Sequence, residues 1–342
     1  MNPSNRYAEA GVDIEAGDRI KKRIAQAIGS THSERVLHKE GAFGALFSLA
    51  GISLNKPVLV SSVDGVGTKV KLAVATGRHA GIGRDLVNHS INDILTCGAR
   101  PLFFLDYFAC AKQDDNVVLQ LIEGMSDACK EAGMALIGGE TAQMPDVYAP
   151  DEYDLAACIV GVVDEDQIID GRSIQPGDAV VGIPSSGLHT NGYTLARKVL
   201  LDEMHYRLDE TLPGFQQSLG EVLLTPHRSY LREVTKAREK INILGIAHIT
   251  GGGFEGNISR ILPGGCQAVI DAGTWKRPPI FDLIQEAGSI SDQEMHRVFN
   301  MGVGLTLIVR PDEAQPLCDL IPGGVRIGEI AKGSGVTLIY PK

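Results

Sequence analysis

The spacing of apolar residues predicts a run of short strands and medium-length helices. Asp18 to Ile28 has helical spacing, with Ile20, Ile24, Ala27 and Ile28 on one side. Pro57 to Asp64 reads as a strand that Gly65 and Gly67 break. Asp85 to Thr96 reads as a helix with an apolar face of Leu86, Val87, Ile91, Ile94 and Leu95. Asp85 is placed to cap its start and Gly98 to end it. Asn88, His89, Asn92 and Asp93 form a polar cluster at one level on the other side. Pro101 to Phe108 is a strongly apolar strand, Val117 to Ala132 a helix, Ala135 to Gly138 a strand running into Glu140, and Tyr153 to Val163 another strand.

A turn-rich acidic stretch follows, from Asp164 to Asp178, with Gly171, Pro176 and Gly177. A domain boundary is expected there, dividing the chain into residues 1–167 and 168–342. The second part opens with a strand and loop from Ala179 to Gly187, then a helix from Tyr193 to Leu201. Residues 203–220 read as an excursion and Pro226 to Lys240 as helical. Strands recur at Ile246–Ile249, Gln267–Asp271, Gly304–Val309 and Val336–Tyr340. The regular βα alternation of a doubly wound sheet is missing, so the expectation is α+β in two domains. A length of 342 residues accommodates two domains.

Composition narrows the function. Hydrophobic residues make up 44% and charged residues 22%, ordinary values for a globular protein. A net charge of −10 disfavours nucleic acid and anionic membranes as partners, while leaving room for a small phosphorylated substrate in a locally positive pocket. Aromatics are 5%, with Trp275 the single tryptophan, too few for a base-stacking platform. The six cysteines form no C-x-x-C pair and read as free thiols of a reducing compartment. No apolar signal core opens the chain and no apolar run reaches about 18 residues, so a cytoplasmic protein without a membrane span is expected.

The chemistry gathers at carboxylates set among glycines: Asp64 before Gly65 and Gly67, Asp93 on the polar helix face, and Glu140 after Gly138-Gly139. Hard divalent cations take oxygen ligands, and glycines let backbone N–H groups approach phosphate oxygens. The pattern points to an ATP-using enzyme without the usual phosphate loop. Gly65-Val-Gly-Thr-Lys69 is too short for that loop, and a tight turn after a strand explains it equally well. Gly251 to Gly256 matches G-x-G-x-x-G, with Asp271 downstream, yet Pro263 stops the following helix too soon for a dinucleotide-binding crossover. An anion nest explains those glycines better. Ser185-Ser-Gly-Leu-His-Thr-Asn-Gly192 lies before a helix, where N–H groups and hydroxyls can surround a phosphate, or where an ordinary polar loop can cap the helix. His189 and His248 lie nearest the glycine loops, as bases or as hydrogen-bonded structural residues. Lys39, Lys69 and Lys71 fit a phosphate contact or a solvated edge, and Asp106 fits a site or a paired structural role.

Taken together, Tyr7–Ile14, Gly41–Phe47, Val63–Lys69, Pro101–Tyr107, Gly138–Pro145, Ser185–Tyr193 and Ala247–Phe254 resemble the phosphoribosylformylglycinamidine cyclo-ligase family, also called aminoimidazole ribonucleotide synthetase, over nearly the whole chain. The acidic–glycine set is shared with its superfamily, which includes selenophosphate synthetase, thiamine-monophosphate kinase and hydrogenase-maturation dehydratases. The Gly138–Pro145 and Ala247–Phe254 strings narrow it to the cyclo-ligase. Ala42 and Gln143 depart from residues common in the family. The resemblance implies ATP-dependent cyclisation of formylglycinamidine ribonucleotide to aminoimidazole ribonucleotide, with Mg²⁺. It implies Asp64, Asp93 and Glu140 as metal ligands, and Lys69 and His189 beside them in catalysis. Gly41, Phe43, Gly44, Gly65, Gly67, Thr68, Asn92 and Thr141 would contact ATP. Ser185, Ser186, Gly187, His189, Asn191, His248, Gly251 and Gly252 would hold the ribonucleotide. It also implies a homodimer whose N-terminal sheets join into a barrel. The alternatives are another ATP-dependent kinase or synthetase of the superfamily, or a non-catalytic nucleotide sensor, which would not need the carboxylates.

Overall fold

The strands assemble into two separate mixed sheets, each backed by helices. The computed structural model describes residues 14–37 and 43–341. Residues 7–13, Lys39, Gly41 and Ala42 lie outside the described residues. In the first sheet, β1 (Pro57–Gly65), β2 (Arg100–Cys110), β3 (Ala135–Gln143) and β4 (Tyr153–Asp164) take the order β1–β4–β2–β3. β4 is antiparallel to β1 and β2, and β3 is parallel to β2. Alternation puts Phe104, Phe108, Leu155 and Ile159 on the buried face. Leu59, Val63 and Tyr107 stand exposed on the other.

Four helices accompany this sheet: α1 (Ile14–Gly29), α2 (Val70–Thr76), α3 (Ala80–Leu95) and α4 (Asp115–Ala132). Asp114 caps α4 by accepting from the N–H groups of Asn116 and Val117. α3 begins at Ala80, not at Asp85, and Asp85 is a buried residue of the helix body rather than its cap. Gly83 looks like a breaker in sequence, but it lets α3 approach α4 closely. A Cβ on Gly83 would overlap the Leu121 carbonyl, and one on Gly124 would overlap that of Ala80.

The second sheet has the order β10–β7–β9–β5–β8–β6. Its strands are β5 (Ala179–Pro184), β6 (Gly245–His248), β7 (Cys266–Asp271), β8 (Val303–Val309), β9 (Val325–Lys332) and β10 (Gly335–Ile339). β10 pairs parallel with β7, and every other pair is antiparallel. The helices are α5 (Tyr193–Arg197), α6 (Leu219–Leu223), α7 (Leu231–Arg238), α8 (Gly253–Ile258), α9 (Pro279–Ala287), α10 (Asp292–Val298) and α11 (Ala314–Leu320). β6 and β7 flank α8 in sequence but are not neighbours in the sheet, so Gly251–Gly256 opens no dinucleotide-binding unit.

The expected helix from Pro226 to Lys240 is confined to Leu231–Arg238. α3 takes the backbone groups of the preceding residues. The His227 N–H donates to Asp85 Oδ1 (2.6 Å) and the Tyr230 N–H to Asn92 Oδ1 (3.0 Å). Asn88 Nδ2 donates to the His227 carbonyl (2.7 Å) and Asn92 Nδ2 to that of Arg228 (2.8 Å). These bonds clamp the second part of the chain to the first.

Candidate active site

The turn that ends β1 places Asp64 beside the polar face of α3, and loops of the second part close over both. Residues i and i+4 on α3 present His89 and Asp93 together. His89 Nε2 lies 2.7 Å from Asp64 Oδ2 and 3.6 Å from Asp93 Oδ2. Ser62 on β1 donates to Asp93 Oδ2 (3.1 Å), and His248, at the end of β6, lies 2.9 Å from Asp93 Oδ1 through Nδ1. Thr190 Oγ1 stands between His89 Nδ1 (2.9 Å) and His227 Nδ1 (3.4 Å), and His227 Nε2 meets His248 Nε2 at 3.1 Å. Asp64, His89, Thr190, His227, His248 and Asp93 thus form a ring of contacts across the two domains.

Each contact needs one proton between its partners, which fixes the tautomers. Asp93 accepts from His248 Nδ1–H, so His248 Nε2 accepts from His227 Nε2–H. His227 Nδ1 then accepts from the Thr190 hydroxyl, whose oxygen accepts from His89 Nδ1–H. His89 also donates through Nε2 to Asp64 and is therefore a cation. The other assignments put the surplus proton on His227, whose pKa burial lowers well below the ordinary value, or on His248. Burial outweighs the Asp93 hydrogen bond there and lowers the His248 pKa. At His89 burial also opposes charge, but the Asp64 bond and the charges of Asp93, Asp64 and Asp85 raise the pKa. Burial opposes ionisation of Asp64 and Asp93 as well, yet their imidazole partners hold both below the usual carboxylate range. Asp64 remains 48% exposed and Asp93 25%, so an ionised carboxylate pair faces outward from buried imidazoles.

Glu140 does not join this pair within the chain. Asp64 is level with Ala157, Asp106 and Gly139 across the sheet, on the helix-packed face. Glu140 pairs with Tyr107 and points to the opposite, open face. Three strand spacings of about 4.8 Å separate β1 from β3, roughly 14 Å. The single three-carboxylate centre is therefore not assembled within one copy, because two of its members belong to opposite faces and edges of one sheet.

Lys69 is not on a phosphate. Its ammonium is fully buried, 2.7 Å from Asp85 Oδ2, and donates to the carbonyls of His189 (3.1 Å) and Thr225 (2.8 Å). Burial pushes the Asp85 carboxyl up and the Lys69 ammonium down, each opposed by the partner's charge. Asn92 is likewise 0% exposed and spent on the Arg228 and Tyr230 backbone rather than on a nucleotide. Phe43 is fully exposed and Gly44 has open space around it. Gly67 has φ 60°, and Thr68 Oγ1 meets Thr194 Oγ1 at 3.0 Å, bringing the β1 turn against the 185–194 loop. Gly65 has a Leu155 carbonyl 3.1 Å from where its Cβ would lie, and Thr141 is exposed beside Glu140.

In the second part, Ser186 Oγ donates to the Pro226 carbonyl (2.6 Å) and its N–H to His189 Nε2 (3.1 Å). Ser185 Oγ shares contacts with Asn300 Oδ1 (2.9 Å) and the Gly187 carbonyl (3.0 Å). His189 is buried, stacked on His227 at 3.8 Å, and burial keeps its pKa well below the ordinary value. His189 is thus a neutral spacer in the loop, not an exposed base. Asn191 Oδ1 accepts from the Gly251 N–H (3.0 Å), while its buried Nδ2 has no partner among the described residues. The adjoining Gly192 and Gly251, with Gly252, Ser291 and Arg297, line a cleft of ≈ 730 Å³. His227, Thr190 and Asp85 were not read as site residues from sequence. His227 sits in a stretch with helical spacing, and only the fold reveals that α3 holds it.

The family description "AIR synthase related protein, N-terminal domain" matches residues 49–163, and "AIR synthase related protein, C-terminal domain" matches residues 175–341. A phosphoribosylformylglycinamidine cyclo-ligase of Myxococcus xanthus is 50% identical over 333 residues, 96% of each chain. That of Geobacillus kaustophilus is 48% identical over 336 residues, 97% of each chain. Among solved structures, thiamine-monophosphate kinase from Stenotrophomonas maltophilia aligns with TM-score 0.67 at 20% identity, covering 94% of each chain. A hydrogenase maturation protein HypE in complex with ATP aligns with TM-score 0.67 at 16% identity, covering 94% of this chain and 91% of that one. These two show a common fold.

Proposed function

The chain belongs to the phosphoribosylformylglycinamidine cyclo-ligase family, and from that premise we infer that it cyclises formylglycinamidine ribonucleotide to aminoimidazole ribonucleotide, converting ATP to ADP and phosphate. An amide oxygen is a poor leaving group. Transfer of the γ-phosphoryl group to it gives an imidate phosphate, which the neighbouring nitrogen displaces as the five-membered ring closes. Such transfers depend chiefly on positioning and on charge stabilisation.

The ionised, half-open Asp64–Asp93 pair carries this reading. Its oxygen donors suit Mg²⁺, which when bound neutralises charge on the transferring phosphoryl group. Asp64 and Asp93 would hold that ion, while His89 and His248 fix the two carboxylates from behind. Gly65, Gly67 and Thr68 supply the adjoining turn for ATP phosphates. Asn191, through its unpartnered amide, and the Gly251–Gly252 loop hold the ribonucleotide, and Ser186 anchors the loop between them. The low identity to the kinase and HypE folds leaves the superfamily alternative without support from this site.

Two copies complete the arrangement. The face bearing Leu59, Val63, Tyr107 and Glu140 is exposed, and β1 and β3 are the outer strands of the sheet. Joining two such sheets into a barrel covers the face and removes the edges. Glu140 then serves the shared interface rather than the Asp64–Asp93 pair of its own chain. Among the described residues no helix is long and apolar enough to cross a membrane.

ATP turnover measured with and without the ribonucleotide tests the assignment. Turnover should require the ribonucleotide, and Asp64→Asn and Asp93→Asn should each lower it roughly a hundredfold or more. Near-normal turnover by both variants at saturating Mg²⁺ would remove the carboxylates from the mechanism.

A further inference from the structure

Three imidazoles, from His89 on α3, His227 before α7 and His248 on β6, converge at the domain junction, and the cyclisation chemistry does not require them to be three. We propose that His89, His227 and His248 form a binding site for one transition-metal dication of the Zn²⁺ and Co²⁺ class, which staples α3 to the second part of the chain. The ring centres are 5.3, 5.2 and 5.1 Å apart, a nearly equilateral triangle. A tetrahedral ion about 2.05 Å from each ligating nitrogen, with each ring centre about 1.2 Å behind it, sets ring centres about 5.2 Å apart and nitrogens about 3.3 Å apart. The Nε2 atoms of His227 and His248 are already 3.1 Å apart. One ligating atom from each of the three residues lies within 4.8 Å of the others, so closure needs a contraction of up to about 1.5 Å.

The outer partners of a metal site are also present. Thr190 holds Nδ1 of His89 and of His227, and Asp93 holds Nδ1 of His248. This leaves Nε2 of each ring as the ligand atom, the arrangement that fixes metal-bound imidazoles. His89 Nε2, now 2.7 Å from Asp64 Oδ2, must release that carboxylate on taking the metal. Imidazole nitrogen selects Zn²⁺, Co²⁺ or Ni²⁺ over Mg²⁺, so this site and the carboxylate pair take different ions.

Titration of chelator-treated full-length protein with Co²⁺, in the absence of ATP, reads the site directly through its visible absorption. One equivalent should bind with tetrahedral bands, and Zn²⁺ should displace it and raise the thermal midpoint. His89→Ala and His227→Ala should each weaken uptake roughly a hundredfold or more. Since those variants also remove buried hydrogen bonds, the wild-type protein supplies a second readout: Zn²⁺ should shift the imidazole ¹⁵N resonances of these three histidines together. Wild-type protein with no Co²⁺ bands and no Zn²⁺-dependent ¹⁵N shift would overturn the proposal, as would undiminished uptake by folded variants. None of these readouts involves turnover, so their failure leaves the cyclo-ligase assignment untouched.

Discussion

Lys69 occupies a glycine–threonine–lysine turn and yet spends its charge inside the protein. Its three donors go to Asp85 and two carbonyls, and no surface remains for a phosphate. Removing one partner of such a pair leaves an uncompensated buried charge, which costs about 3–5 kcal/mol. Lys69→Met should therefore lower stability by that amount in urea unfolding. A variant that unfolds normally but shows a raised KM for ATP would return Lys69 to the phosphate. The carboxylates Asp64 and Asp93 were legible because acidic residues among glycines at strand and helix ends have few purely structural uses. The fate of Lys69 was not, because its partners, Asp85 and the carbonyls of His189 and Thr225, come from separate parts of the chain. Asn92 was misread for the same reason, its partners lying at Arg228 and Tyr230.

Helix α3 organises the elements around it. Its apolar face was evident from spacing, but its first turns were hidden by Gly81 and Gly83, and Gly83 serves a close contact with α4 and not local propensity. Gly124→Val places a branched side chain where the Ala80 carbonyl already stands. Overpacking of this kind costs about 1–3 kcal/mol, occasionally more, so the variant should melt at a lower temperature. An unchanged thermal midpoint would contradict the close crossing. β9 also escaped the sequence reading. Its burial does not alternate cleanly, and Gly328 stands where a Cβ would overlap the Val269 carbonyl of β7. Strands with clear apolar runs, such as β2 and β8, were recognised at nearly their full extent.

At the scale of the whole molecule, the exposed apolar residues on the first sheet are the basis of the proposed second copy. Light scattering at low micromolar concentration should give about twice the 36.5 kDa chain mass, and Val63→Glu, on the open face, should shift it toward the monomer. A monomeric, fully active wild type would dismiss the shared barrel and leave the carboxylate site in place. The mixed, two-part character of the fold was legible from the missing βα alternation and the chain length. The clamp between the two parts was not, because it is made of single side chains on α3 holding backbone of residues 227–230. That clamp also has a consequence for how the protein is made. On a ribosome adding about 5–20 residues per second, the stretch from Asn92 to Tyr230 takes roughly 7 to 28 s to synthesise. Through that interval Asn88 and Asn92 have emerged without the groups that satisfy them and Asp85 has only Lys69, though every strand of their own sheet is complete by Asp164. The first half of the nascent chain cannot finish folding on its own schedule; the second half sets the time.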